Sequence, residues 1–318
     1  MTKLALALVS YFVMAAVAGA AEYPAKTIRI LVPYPPGGLV DLAARTVAGE
    51  VQKRWKQTVV IENRPGASGA LAVRAAADAE ADGHTWLMTT NTEITVNPSL
   101  LQNISYDLDR DFNVITMLVD SPLAVVTSLQ SPFDNVQGLI AFAKKQAEPV
   151  LYASPGTGTL NNILSEWLAS DQKFKVQHVP YKGGAPSITA ILANEVRFGS
   201  LSLAVSKSLA DAGKLRMLGV SSAQRSALAP DAPTLTENGI SISSTIWVGL
   251  FTQKNVPTEL NGKIHSLMME ILKDDEVRRQ FSTQGVEPRP MSSRDFYNQI
   301  KTEERQLKEV IHTARIGQ

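Results

Sequence analysis

The stretch that decides the fold is Ile28 to Arg45, IRILVPYPPGGLVDLAAR. Its first five residues, Ile28 to Val32, are apolar and end at a proline, which predicts a short buried strand. The loop Tyr34-Pro35-Pro36-Gly37-Gly38 follows. After it, apolar residues recur at the spacing of one helix face, namely at Val40, Ala44, Val47, Val51 and Trp55. The stretch therefore predicts a strand, a rigid loop of proline and glycine, and the start of a helix.

This loop has the features of an anion-binding turn. The first amides of a helix have no partner inside the helix, and the helix dipole adds partial positive charge at the same end. Gly37 and Gly38 have no Cβ, so a ligand can approach their backbone closely. We interpret the loop as one half of an anion-binding cleft. An ordinary strand-to-helix turn is the alternative that these residues leave open.

Composition narrows the class of protein. A chain of 318 residues is long enough for two domains, and its 44% hydrophobic and 19% charged residues are ordinary for a globular protein. The net charge of +1 argues against a nucleic acid partner, because phosphate binding needs clustered Lys and Arg. The absence of cysteine excludes disulfides, thiolate nucleophiles and Cys-ligated metals.

The N-terminus resembles a secretory signal peptide. Lys3 is followed by an apolar segment from Leu4 to Val17 and then by the small residues Ala18-Gly19-Ala20. We expect cleavage after Ala20 or Ala21. No cysteine is present to carry a lipid anchor, and no later segment is apolar enough to span a bilayer. The sequence therefore predicts a soluble protein exported to the periplasm.

Strands alternate with helices in the first part of the chain. Strands are predicted at Thr58 to Ile61 and at Thr85 to Thr89, with a helix from Ala70 to Ala79 between them. Such alternation predicts a parallel sheet, whose ligands lie outside the carboxyl ends of the strands. The loops that start at Tyr34, Asn63 and Thr90 should therefore share one edge of the sheet.

A second series repeats the opening pattern. The strand Val150 to Ala153 is followed by the loop Ser154-Pro155-Gly156-Thr157-Gly158-Thr159 and by a helix that starts at Leu160. Either Thr157 or Thr159 can cap that helix. A preceding strand is predicted at Leu123 to Thr127.

The last third of the chain is predicted to return to the first domain. An apolar strand at Thr245 to Thr252 should cross back, and the rest should be helical with no strands of its own. Helices without a sheet need one to pack against. We therefore expect a signal peptide at 1–21, a discontinuous first domain at 22–122 and 229–318, and a second domain at 123–228.

The two small-residue loops suggest what is bound. Neither loop contains Arg, so a carboxylate would be held by backbone amides and by Ser or Thr hydroxyls. One loop in each domain suits a ligand with a polar group at each end, such as a dicarboxylate. The alternative is that the glycines serve only the geometry of the loops.

Motifs of catalysis and cofactor binding are absent from the sequence. The four histidines form no HxxxH or HExxH pair, and no GxSxG or GxxxxGK[ST] motif occurs. The Gly156-x-Gly158 pair matches a dinucleotide fingerprint only in part, because position 161 is Asn. A hydrolase would need a nucleophile and a base within hydrogen-bonding reach, and the sequence shows no such pair. We expect no catalysis, no metal and no cofactor.

Many short motifs then occur in a fixed order along the chain. They are Tyr23-Pro24, the loop that ends at Gly37-Gly38 with Asp41 and Arg45 after it, Glu62-Asn63-Arg64-Pro65-Gly66, Asp82-Gly83-His84-Thr85, His178-Val179-Pro180-Tyr181-Lys182-Gly183, Gly213-Lys214-Leu215-Arg216, Pro230-Asp231-Ala232-Pro233-Thr234 and Trp247-Val248-Gly249-Leu250. With these motifs the chain resembles the solute-binding proteins of tripartite tricarboxylate transporters, the Bug or TctC family. The resemblance covers nearly all of the predicted mature sequence.

The resemblance implies a type II periplasmic-binding-protein fold, an α/β fold with two lobes, two crossover strands and a ligand between the lobes. It also implies that the ligand is held largely by backbone amides and ordered water. The implied contacts are Tyr34, Pro36, Gly37, Gly38, Leu39 and Asn91 in the first lobe, and Gly156, Thr157, Gly158, Thr159, Asn161 and Ser200 in the second.

Two positions depart from the family pattern. Asn162 stands where the family often has His, and Arg197 stands where it usually has Asp. Arg197 either suits a more acidic ligand or faces solvent, since neighbouring strand residues point to opposite sides.

The resemblance also implies the partners of this protein. We expect a monomer that captures a small carboxylate and delivers it to membrane transporter subunits, with no nucleic acid partner. An exported sensor that reports to a membrane kinase and an exported hydrolase are the alternatives.

Overall fold

The computed structural model of the protein describes residues 23–101, 104–283, 285–313 and 316. The predicted signal peptide lies outside these residues. Within them, none of the helices has the length and apolar character needed to cross a membrane.

The first lobe begins with alternating strands and helices, as predicted. Its elements are β1 (Ile28–Val32), α1 (Leu39–Trp55), β2 (Val59–Asn63), a 3-10 turn (Ala67–Gly69), α2 (Ala70–Ala77), β3 (Thr85–Thr90), a π-helical turn (Thr92–Val96), α3 (Asn97–Leu100) and α4 (Leu108–Asp111). Strand β1 pairs in parallel with both β2 and β3, so the carboxyl ends of all three strands share one edge. Helix α1 buries the predicted face, including Val40, Val47 and Val51.

The long strand β4 (Phe112–Ser128) joins the two lobes. Up to Pro122 it pairs with β9 (Thr245–Gln253), and from Leu123 onward it pairs with β7 (Phe198–Ser202) and β8 (Leu215–Val220). The sequence predicted only the part from Leu123 to Thr127. The first part escaped prediction because its pairing with β9 shifts register twice, so the two-residue alternation of a regular strand is broken.

The second lobe repeats the parallel arrangement. Its elements are α5 (Val136–Lys144), β5 (Val150–Ser154), α6 (Leu160–Gln172), β6 (Val176–Pro180), α7 (Gly184–Leu192), β7 (Phe198–Ser202), α8 (Leu203–Asp211) and β8 (Leu215–Val220). Strand β5 pairs in parallel with β6 and β7, so the loops after β5 and β6 lie at one edge.

The last third of the chain returns to the first lobe. After a 3-10 turn (Thr236–Asn238), its elements are β9 (Thr245–Gln253), α9 (Thr258–Lys273), α10 (Asp275–Thr283), β10 (Glu287–Pro288) and α11 (Ser293–Thr313). Strand β9 lies between β3 and β4 and is antiparallel to both. The expectation that no strand follows β9 is wrong, because β10 pairs with Val119 and Asp120 of β4. A strand of two residues is too short to show a periodicity.

The hydrophobic core is divided between the lobes, and α11 contributes to both. Phe296 and Ile300 pack with Leu31 in the first lobe, whereas Leu307 and Val310 pack with Tyr152 in the second. The two-lobed α/β architecture is confirmed. The division of the chain at residues 122 and 228 stays a prediction. Side chains beyond 228 also pack in the second lobe: besides those of α11, they include Leu235, Ile240 and Ile242.

Candidate ligand-binding cleft

The loops predicted to bind the ligand lie on either side of the crossing between the lobes. Thr90 ends β3 level with Val248 of β9, and Ser202 ends β7 level with Leu123, where β4 enters the second lobe. Both parallel sets of strands therefore present their carboxyl ends to the crossing. The lobes also approach each other here, because a Cβ added to Gly158 would lie 3.0 Å from Leu100 Cδ1 of α3.

The first-lobe loop, residues 34–39, is anchored by the buried carboxylate of Asp41. This carboxylate accepts hydrogen bonds from the Gly37 amide (2.9 Å), from Arg45 (2.8 and 3.1 Å) and from Asn63 Nδ2 (3.0 Å). Burial acts to raise the pKa of Asp41, but these hydrogen bonds outweigh it and leave the pKa below its usual value. Asn63 also donates to the Tyr34 carbonyl (3.0 Å), which joins the loops after β1 and β2.

The hydroxyl of Tyr34 is bound inside the first lobe. It donates to Glu93 Oε1 (2.7 Å) and lies 2.9 Å from Thr90 Oγ1. Thr89 and Thr90 donate to the same carboxyl group, which is enclosed, and its burial raises the pKa of Glu93. Tyr34 therefore shapes the loop through its side chain and ties it to the end of β3, as the shared edge predicts.

The backbone of the first-lobe loop keeps free donors. The amides of Gly38 and Leu39 have no hydrogen-bond partner among the residues that the structure describes, and they sit at the N-terminus of α1. Gly37 has φ +91° and open space where a Cβ would lie, while Pro36 is exposed. The ligand can therefore reach the two free amides along the glycine backbone.

The second-lobe loop, residues 154–159, is held by neutral side chains. Thr159 is the N-cap of α6 and accepts from the Asn162 amide (3.3 Å), which decides between the two predicted caps. Asn162 Oδ1 accepts from the Gly158 amide (2.9 Å), and Asn162 Nδ2 donates to the Tyr152 hydroxyl (2.5 Å). That hydroxyl donates in turn to Glu166 (2.6 Å). The Gly158 amide, which the sequence suggested as a contact of the ligand, is therefore bonded to Asn162 instead.

A serine and a histidine meet beneath this loop, which corrects the expectation that no nucleophile and base come together. Ser154 Oγ lies 2.6 Å from His178 Nε2, and burial lowers the pKa of His178. However, Ser154 is fully buried, and its hydroxyl also bonds the carbonyl (2.9 Å) and the amide (3.2 Å) of Gly156. The pair fixes the loop to β6 and offers no exposed nucleophile.

The exposed donor of the second loop is Thr157. Its amide has no protein partner within the described part of the chain, and its side chain is exposed. Gly156 precedes it, and a Cβ at Gly156 would meet its nearest neighbour, Thr159 Cγ2, at an ordinary 3.8 Å. The tip of the loop is therefore open to a ligand, as the tip of the first loop is.

Three other predicted contact residues are buried and engaged with the protein. Asn161 Nδ2 donates to the Ser200 carbonyl (2.7 Å), and Ser200 Oγ donates to the Asn161 carbonyl (2.7 Å). Asn91 Nδ2 donates to the Thr245 carbonyl (2.8 Å) and to Glu303 Oε1 (2.7 Å). Their side chains support the cleft in this conformation, and their contact with a ligand stays a prediction.

Arg197 lies at the opposite end of the second lobe. Its backbone pairs with Leu151 and Thr127, and it borders a cavity of about 230 Å³ together with Glu148 and Glu195. Because β7 runs from Arg197 toward the crossing, this side chain is remote from the loop tips. Of the two sequence-based alternatives, the structure favours a solvent-facing Arg197.

Another cavity, of about 750 Å³, lies on the outer side of the first lobe between α1 and α9. Its basic residues are already paired, Arg54 with Asp274 (2.9 Å) and Lys263 with Glu259 (3.0 Å). We do not assign the ligand to it. In addition, no cluster of three or more His, Asp or Glu side chains suited to a metal ion occurs in the described ranges.

The residues that build the cleft include several that sequence reasoning did not assign to the site. Asp41, Asn63, Asn162 and His178 were noticed only as parts of motifs, and Glu93 was not noticed. A signal for Glu93 does exist, since it is a lone charged residue in the otherwise uncharged segment Trp86 to Tyr106.

Two α/β lobes joined at a crossing, each with a small-residue loop facing it, define the class of two-lobed solute-binding proteins. Residues 43–316 match the model of the tripartite tricarboxylate transporter family receptor, TctC, and the chain belongs to this family. The predicted family and the predicted periplasmic-binding-protein fold are thereby confirmed. Members of this family are substrate-binding receptors, so the prediction that the chain is not an enzyme is confirmed as well.

Individual relatives cover almost the whole chain. BugT of Bordetella pertussis is 30% identical over 294 residues, which are 91% of this chain and 90% of that protein. A TctC solute-binding protein from Polaromonas is 25% identical with a TM-score of 0.82, covering 91% of this chain and 99% of its own. An R. palustris protein solved with adipate is 26% identical with a TM-score of 0.80, covering 93% and 99%.

Proposed function

We propose that this protein binds a small organic dicarboxylate between its lobes, in the periplasm, and delivers it to the membrane subunits of a tripartite tricarboxylate transporter. The observation that carries the proposal is the pair of opposed loops with free donors, the Gly38 and Leu39 amides on one side and the Thr157 amide on the other. Helix N-termini with free amides favour carboxylate groups. The R. palustris relative solved with adipate supports this ligand class.

The proposed mechanism is closure of the lobes around the ligand. Each loop is a preformed half-site, and a ligand with a carboxylate at each end would bridge the two. The crossing, formed by β4 and by the chain entering β9, would act as the hinge. Closure would then present the surface that the membrane subunits recognise.

A sensor that reports to a membrane kinase shares every feature of this cleft and differs only in its partner. Pull-down with the transporter's membrane subunits, in the presence and absence of ligand, distinguishes the two functions. A hydrolase is disfavoured, because the Ser154–His178 pair is buried and tied to the loop backbone.

The test is a thermal-shift screen against small mono- and dicarboxylates, followed by calorimetry with the best ligand. Gly37→Val and Gly156→Val should abolish binding, because each places a side chain where the ligand approaches the backbone. Gly213→Val is the matched control, since Gly213 also has positive φ (+64°) and open space around it but lies far from the crossing. Normal binding by both cleft variants would refute the assignment of the cleft.

A further inference from the structure

Glu303, in the middle of α11, has a carboxyl group that is enclosed by the protein. Its Oε1 accepts from Asn91 Nδ2 (2.7 Å) and from Thr95 Oγ1 (3.3 Å), and its Oε2 accepts from Trp247 Nε1 (2.7 Å). The residue borders a cavity of about 440 Å³ and is half-buried as a whole.

These three donors belong to parts of the protein that meet at the crossing. Asn91 begins the turn after β3, at the cleft edge of the first lobe, and Trp247 lies in β9. The same Asn91 amide group also donates to the Thr245 carbonyl at the start of β9 (2.8 Å). Glu303 therefore joins the cleft turn, β9 and the helix that packs on both lobes.

We propose that Glu303 is a positioning residue for the ligand-binding cleft: its carboxylate holds the Asn91 amide against β9, and uptake of a proton releases the turn after β3 and weakens ligand binding. This inference rests on the proposed function. The Asn91 amide uses its two N–H groups for Glu303 and Thr245, whereas its Oδ1 is buried without a partner. Once protonated, Glu303 can donate to Thr95 Oγ1 (3.3 Å), whose own hydrogen then stays on the Asn91 carbonyl (2.8 Å). The neutral carboxyl accepts the Asn91 N–H more weakly than the carboxylate does, so the link to the turn is loosened.

The burial of Glu303 places its proton uptake near neutral pH. Burial raises the pKa of Glu303 to about 7, although the hydrogen bonds from Trp247, Asn91 and Thr95 oppose the shift, and the nearby carboxylate of Asp120 on β4 raises it slightly further. Arg289 follows β10, borders the same cavity and pairs with Asp120 (2.7 Å). Glu93 belongs to the same π-helical turn as Thr95 but bonds Tyr34, Thr89 and Thr90 instead.

The sign of the linkage separates a positioning role from a purely structural one. A carboxyl whose pKa is raised by folding adds stability that is complete below its unfolded value of about 4.5 and is lost as the pH rises through about 7. The ionised form therefore lowers the stability of the fold while it holds Asn91 in place. Glu303→Gln, which imitates the protonated acid, should raise the Tm at pH 8 and weaken binding at the same pH.

The experiment measures the affinity for adipate by calorimetry at pH 6, 7 and 8. If only the ionised form binds, the apparent Kd of the wild type should rise about tenfold from pH 8 to pH 6. The Kd of Glu303→Gln should be high at all three pH values and should not show the tenfold rise from pH 8 to pH 6. Glu304→Gln is the matched control, because Glu304 is the next residue of α11 and pairs with Lys301 at the surface (2.6 Å). The Kd of Glu304→Gln should have the same pH dependence as that of the wild type.

Asn91→Ala is the second variant, which leaves Glu303 in place and removes the group that it holds. The Kd of this variant should also lack the tenfold rise from pH 8 to pH 6. The proposal is overturned if the Kd of either Glu303→Gln or Asn91→Ala still rises tenfold from pH 8 to pH 6. It is also overturned if Glu303→Gln lowers both the Tm and the affinity at pH 8.

A ligand-free measurement keeps this proposal separate from the proposed function. The Trp247 indole N–H and the Asn91 side-chain amide should shift together in NMR spectra, with one midpoint near pH 7 that is absent in Glu303→Gln. If adipate and the other carboxylates do not bind but this titration is seen, the proposed function fails while the link between Glu303 and the turn stands. If the two signals do not titrate, the role of Glu303 is refuted whether or not a ligand binds.

Discussion

The loops after β1 and β5 have the same backbone plan but are held in place by different chemistry. The first is anchored by a carboxylate, Asp41, that bonds a guanidinium, a side-chain amide and a backbone amide. The second is anchored by uncharged groups, the Ser154–His178 pair and Asn162. Equivalent half-sites can therefore be built with an ionic or a neutral support, and the two supports should respond differently to mutation and to pH.

Removal of the ionic anchor should have the largest effect. Asp41→Ala leaves the Gly37 amide and the Asn63 side chain without their acceptor, and we expect it to lower the free energy of unfolding by about 2 kcal/mol. The same loss, if it falls on the bound loop, weakens adipate binding by about 30-fold. Urea denaturation and calorimetry measure the two effects.

The matched control for Asp41 is Asp211→Ala. Asp211 also pairs with a basic residue four positions away, Lys207, but at an exposed site, so its loss should change the stability by less than about 0.5 kcal/mol. Equal effects of the two substitutions would show that the buried anchor has no special role.

Disruption of the neutral anchor should have a smaller effect. Asn162→Ala frees the Gly158 amide and the Tyr152 hydroxyl, and we expect a loss of about 1 kcal/mol in stability and about a fivefold loss in adipate affinity. Asn113→Ala is the control, because Asn113 likewise makes two side-chain hydrogen bonds, in its case to two backbone carbonyls, but lies at the far end of β4. A similar loss of affinity in both variants would argue against a local role of Asn162.

Mild acid should loosen the second loop before the first. Folding lowers the pKa of both His178 and Asp41, so each contributes stability that is lost as the pH falls. For His178 the loss begins below about 6.5, and for Asp41 only below about 3.8. Hydrogen exchange at pH 7.5 and 5.5 should show a larger increase in residues 154–159 than in residues 34–39.

His178→Gln checks the cause of that difference, because glutamine does not titrate. Its second loop should exchange at the same relative rate at both pH values, once the intrinsic pH dependence of exchange is removed. An acid response that persists in this variant would exclude His178 as its origin.

The smallest effect is expected at Arg197. Arg197→Asp introduces the residue type that the family resemblance leads us to expect, at the end of β7 away from the crossing. We expect the adipate Kd to be unchanged and the stability to change by less than about 0.5 kcal/mol. A severalfold change in Kd would show that the charge at position 197 affects ligand binding from this distance. The electrostatic support of the second loop would then have to include residue 197.

The sequence predicts the loops themselves well, because their signals are local. Prolines and glycines mark the turns, and the apolar spacing after Gly38 and after Thr159 marks the helices. The supports of the loops join residues that are far apart in the chain, 22 positions for Asn63 and Asp41, 24 for Ser154 and His178 and 59 for Tyr34 and Glu93. Periodicity in one sequence cannot show such pairs.

The same reasoning explains which parts of the fold escaped prediction. The first half of β4 carries two register shifts, and β10 has only two residues, so neither gives a regular alternation. The role of α11 escaped as well. Its amphipathic pattern indicates a buried face, but the pattern does not tell which lobe covers each turn of the helix.

The shared packing of α11 has a consequence for the order of folding. Its early residues Phe296 and Ile300 complete one core, and its later residues Leu307 and Val310 complete the other, so neither lobe has all of its core before α11 is made. Contacts between such distant parts of a chain slow folding. Newly made chains should therefore stay incompletely folded until synthesis is almost finished. Truncation before Phe296 should leave both lobes susceptible to proteolysis, and truncation between Ile300 and Leu307 should affect mainly the second lobe.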